Sequence, residues 1–99
     1  MNIPEYEEGL VTQYVKKIAA EGVKAFDGAD VKSAVDKIVD DAAQHFAVVK
    51  SSTELGNLKR FSGMLSLFAF DTHESQPQYR ATFEHAKARA DDIIKRRTA

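Results

Sequence analysis

Apolar side chains return every three or four residues through four separate stretches of this 99-residue chain, and that period constrains its fold more than any other feature. A helix of 3.6 residues per turn brings such positions onto one face, which must then hide from water against something else. The first stretch runs from about Pro4 to Glu21, with Ile3, Tyr6, Leu10, Val11, Tyr14, Val15 and Ile18 on its stripe and Gly22 expected to end it. Asp27-Gly28 marks a turn. A second helix over about Asp30 to Lys50 carries Val31, Val35, Ile38, Ala42, Phe46 and Val49, with Asp30 placed to cap it. A third, about Ser52 to Phe70, follows a Ser51…Glu54 capping-box spacing. The fourth, about Pro77 to Arg96, shows Tyr79, Phe83, Ala86, Ala90 and Ile93 on a heptad stripe, and Ser75…Gln78 repeats the capping spacing. Both prolines, Pro4 and Pro77, stand where a helix can begin.

No segment alternates with the two-residue period of a strand. The reading is all-α: one helical domain over residues 1–99, an antiparallel four-helix bundle of up-down-up-down order.

Much chemistry is excluded at this point. Cysteine is absent, which removes disulfides, thiolate nucleophiles and cysteine-ligated metals. The five glycines are scattered rather than gathered into a phosphate-cradling loop, and no Gly-x-Ser-x-Gly elbow occurs. Asp41 and His45 share one helix face, but a di-iron bundle would need Glu-x-x-His on two helices, a motif not present. Asp41–His45 is therefore read as an i,i+4 pair at the edge of the stripe, and His73 and His85 as solvated. Neither metal nor cofactor is expected. Ser51-Ser52-Thr53-Glu54-Leu55-Gly56 looks similar to the segment downstream of the reactive histidine in histidine-phosphotransfer domains. That alignment puts Phe46 where the histidine belongs, so phosphotransfer is not expected. No apolar run approaches the roughly 20 residues of a membrane span, and Met1-Asn2-Ile3-Pro4-Glu5 lacks a signal-peptide pattern, so a cytoplasmic location is expected.

The formal net charge is −1, unevenly spread. Residues 1–47 carry five Lys against nine Asp and Glu; residues 77–99 carry six Lys and Arg against three Asp and Glu. On a helical wheel Arg80 and Lys87 flank one side of the fourth stripe, Arg89 and Arg96 the other, and Lys95 points outward. Long cations commonly rim a buried stripe in this way. A nucleic-acid contact through Arg89, Lys95, Arg96 and Arg97 is the secondary reading.

The third helix differs from the rest. Leu58, Phe61, Met64, Leu65 and Phe68 form its core stripe, while Gly56, Gly63, Leu67 and Phe70 fall within about 60° on another face, with Arg60 at that strip's edge. Interior glycines cost a helix about 1 kcal/mol each, so this strip suggests close approach of another backbone. The expected function is a small non-enzymatic protein-binding module, a regulator or adaptor that self-associates through this helix as a homodimer or larger. A small-ligand site among Tyr14, His45, Arg80 and Arg89 is a further alternative.

Overall fold

The first helix does not stop at Gly22. In the computed structural model, which describes residues 3–48, 54–71 and 77–98 and side chains for 9–48, 55–69 and 77–98, α1 runs Ile3–Phe26. Termination is left to Gly28, whose φ of 98° lies in the left-handed region that glycine enters without strain. The Ala29 N–H reaches back to the Lys24 carbonyl at 3.1 Å and the Gly28 N–H to that of Ala25 at 3.0 Å. These two bonds are a Schellman closure, and they satisfy carbonyls that the helix end would otherwise orphan. Gly22 serves a different purpose. A Cβ there would lie 3.0 Å from the Tyr79 ring, so the missing side chain lets the fourth helix close in.

The remaining elements are α2, Lys32–Val48, α3, Glu54–Asp71, and α4, Pro77–Thr98. Asp30 accepts the Lys32 N–H at 3.2 Å in an Asx-type turn, and the Val35 N–H reaches the Val31 carbonyl at 2.9 Å, so α2 starts two residues later than its sequence suggests. The Ser51…Glu54 and Ser75…Gln78 capping pairs and the loop containing His73 lie outside the described residues, as do the side chains of Glu5, Glu7, Glu8 and Phe70. Among the described residues every regular element is a helix, without strands.

Each helix touches the other three, and α4 has the most extensive contacts. Ala86 and Ala90, both fully buried, keep α4 slim enough for three neighbours to reach it. The core is Leu10, Val11, Tyr14, Val15 and Ile18 from α1, Val35, Val39, Ala42 and Phe46 from α2, Leu58, Phe61 and Leu65 from α3, and Phe83 and Ile93 from α4. Two aromatic groups tie it together. Tyr14 meets Phe46 edge-on at 5.8 Å and Phe46 meets Phe61 at 6.0 Å, joining α1, α2 and α3. Phe83 is stacked by Phe68 at 5.5 Å and touched by Tyr79 at 5.1 Å, joining α3 to α4. Full burial of a ring such as Phe46, Phe61 or Phe83 contributes on the order of 1.5–3 kcal/mol. No helix among the described residues is long and apolar enough to cross a membrane.

Candidate functional site

The face of α3 opposite its core stripe is open. Leu67 is 65% exposed and Gly63 is exposed beside it. Among the described residues nothing lies within 4 Å of the position a Cβ on Gly63 would occupy. Together with Arg60 and Met64 of α3 and Val11 and Thr12 of α1, these residues line a groove of about 560 Å³. Val11 forms its buried floor, and Met64, half-buried, is the step between core and groove. Gly9, three residues before Thr12 on α1, likewise has nothing within 4 Å of its Cβ position.

The remaining strip residues fare differently. Gly56 is half-buried and Phe70 has no described side chain, so the strip is traced from Arg60 to Leu67. Phe68, assigned to the core by its spacing, is 40% exposed while it stacks on Phe83, which places it at the rim. The α1 wall of the groove was not legible in the sequence, because Thr12 is an unremarkable polar residue until tertiary packing sets it opposite Gly63.

The basic end of the chain is largely engaged within the molecule. Arg89 donates to both Asp40 oxygens, at 2.9 and 2.8 Å, and lies 3.7 Å from Asp36. His85, expected to be solvated, is half-buried with Nε2 2.8 Å from Asp36. Arg80 pairs with Glu84 at 2.6 Å and Arg96 with Asp92 at 2.9 Å. Lys95 and Arg97 are exposed. The uneven charge of the sequence thus joins acidic α2 to basic α4. Hydrogen bonds from Arg89 hold the Asp40 carboxyl below its usual range. Asp91 is also held low: burial opposes its ionisation, but Lys87 and Ser62, each 2.5 Å away, outweigh that together.

Of the four residues considered for a ligand site, two converge. The Tyr14 hydroxyl lies 2.7 Å from His45 Nδ1, so His45 finds its partner across the helix interface rather than in Asp41 on its own helix. Burial pushes the Tyr14 phenol up, and the charge of Asp41 adds to this. Lys17 lies over the same ring, 4.9 Å from its centre. Arg80 and Arg89 are elsewhere, on their own carboxylates. Among the described residues no group of three or more His, Asp or Glu could hold a metal ion. A second hollow, about 280 Å³ and mainly apolar, lies between the α1–α2 turn and α4 over Val31, Val35 and Ala81. Comparison with known proteins finds no family model, no curated protein and no solved structure that matches this chain.

Proposed function

We propose that this chain is a small non-enzymatic helical module, a regulator or adaptor, that binds protein through the exposed face of α3 and associates with itself there. One observation carries the reading: Leu67 stands 65% exposed beside a glycine whose Cβ position no described residue approaches within 4 Å. A fully exposed leucine forgoes about 1.5–3 kcal/mol of burial, and an interior glycine costs about 1 kcal/mol more, so two costs fall side by side on this face of α3. A binding surface accounts for both losses. The bundle is read as antiparallel, in up-down-up-down order. Three registers support this: Gly22 near the end of α1 meets Tyr79 near the start of α4; Ser62–Asp91 and Phe68–Phe83 run in opposite senses along α3 and α4; Asp36–His85 and Asp40–Arg89 advance together along α2 and α4. The absence of cysteine suits a reducing, cytoplasmic setting.

Sedimentation equilibrium from about 1 µM to about 1 mM tests the self-association. The apparent mass is expected to rise from 11.0 kDa as concentration increases. Leu67→Asp should hold it at 11.0 kDa with an unchanged melting temperature. A wild-type mass fixed at 11.0 kDa throughout would overturn the reading. The nucleic-acid alternative is the weaker one, since Asp40 and Asp92 already hold Arg89 and Arg96.

A further inference from the structure

We infer that the hollow between the α1–α2 turn and α4 binds a small amine, a protonated amino group carried on a compact apolar body. It shares no lining residue with the α3 groove, so it stands or falls apart from association there. Short side chains leave the space open: Ala25, Ala29 and Ala81 stand around it. Gly28 adds no side chain, and its φ of 98° would strain one. The floor is Val31 and Val35, both buried. A cavity of ~150 Å³ holds benzene. The hollow measures about 280 Å³, room for a ring and a short tail.

Hydrogen-bond chemistry selects the polar end of the occupant. Thr82, only 5% exposed, gives its hydroxyl hydrogen to the Gln78 carbonyl at 2.9 Å, so Oγ1 has lone pairs left to offer. His85 Nε2 lies 2.8 Å from an Asp36 oxygen. A carboxylate only accepts, so Nε2 carries the proton and Nδ1 of the neutral ring is an acceptor, strengthened by Asp36 behind it. Asp30 takes the Lys32 N–H on one oxygen at 3.2 Å and keeps the second, with its negative charge. An ammonium donates three hydrogens and accepts none, which matches acceptors from Thr82, His85 and Asp30. A carboxylate ligand would set lone pairs against lone pairs. Two features favour an anion, and both are offset. Lys32 is exposed, and its long stem carries the charge into water. The start of α2, attractive to anions through its dipole, already has the Asp30 carboxylate on it.

Phenethylamine, phenethyl alcohol and hydrocinnamate share the ring and differ in the polar end, so the three compare a cation, a neutral donor and an anion. Each is titrated into the isotope-labelled chain and followed by amide NMR. The amine should bind with a Kd on the order of 1 mM, as a ligand of this size can, with shifts gathered at Gly28, Val31, Val35 and Thr82. The alcohol should bind about fivefold more weakly and the carboxylate more weakly still. Asp30→Asn keeps the α2 cap, because asparagine caps as well, and should weaken the amine about threefold while leaving the alcohol unchanged. Ala81→Leu, at an exposed helical position on the mouth, should block all binding without lowering the melting temperature. Hydrocinnamate binding as tightly as the amine, or Asp30→Asn weakening amine and alcohol alike, would overturn the choice of an amine. Shifts scattered over the surface, or none up to about 10 mM amine, would overturn the site itself.

Discussion

Gly22 and Gly63 both sit inside helices, yet substitution should move stability in opposite directions. A leucine at 22 must displace the Tyr79 ring, which already lies 3.0 Å from the Cβ position, and should cost about 1–3 kcal/mol by chemical denaturation. Alanine at 63 meets nothing within 4 Å and should gain about 0.5–1 kcal/mol from helix propensity, measured at concentrations where the chain is monomeric. Equal effects at the two sites would refute the contrast. Asn57 makes a related point. Its side chain is fully buried and neither amide atom has a hydrogen-bond partner among the described residues, a desolvation cost of about 1–3 kcal/mol. Asn57→Leu should therefore raise the melting temperature, and a fall would show that the amide is needed. Tyr14 should ionise above the ordinary tyrosine range in an absorbance titration. Its folded pKa is raised, so the stability it contributes is complete below the ordinary tyrosine value of about 10 and is lost as pH climbs past it toward the folded value.

At the level of elements, α2 and α4 are joined by half-exposed carboxylates facing cations. The Asp40 pKa is lowered in the folded state, so its contribution is present above the ordinary carboxylate value of about 4 and is lost as pH falls through the lower, folded one. Acid should loosen the α2–α4 seam first, visible as a drop in melting temperature below about pH 4 that is shallower in Asp40→Asn. Because both partners remain more than a third exposed, that variant should lose no more than about 1 kcal/mol at neutral pH. Helix α3 contributes a core stripe and an open strip at once, and only the strip is available to another molecule. Its two faces are separable: Phe61→Ala should cost about 3–5 kcal/mol, whereas Leu67→Asp should leave folding intact and act on the proposed association.

For the whole molecule, the proposed association through one face would tie stability to concentration, because a partner that binds only the folded chain adds to the free energy of unfolding. The melting temperature should rise with protein concentration in the wild type and stay flat in Leu67→Asp. Measured at one dilute concentration, the two should coincide. The cleft between α2 and α4 lined by Arg89, Arg96 and Arg97 gives little purchase to an anion while Asp40 and Asp92 occupy the first two.

The helical period, the four-helix content and the strip bearing Gly63 and Leu67 follow from the sequence, because each depends on residues within a few turns of one another. Spacing assigned Val11, Tyr14, Val35, Phe46, Leu58, Phe61 and Phe83 to the interior, where all are buried. It misplaced the end of α1, since two glycines competed for the stop and only the approach of Tyr79 explains the first. It left His85 in solvent and gave His45 to Asp41, because their partners lie on other helices. Tertiary structure alone decided those pairings, and it alone set Thr12 across from Gly63 to make a groove. Periodicity fixes which side of a helix turns inward; only the packing of four helices fixes what each remaining side meets.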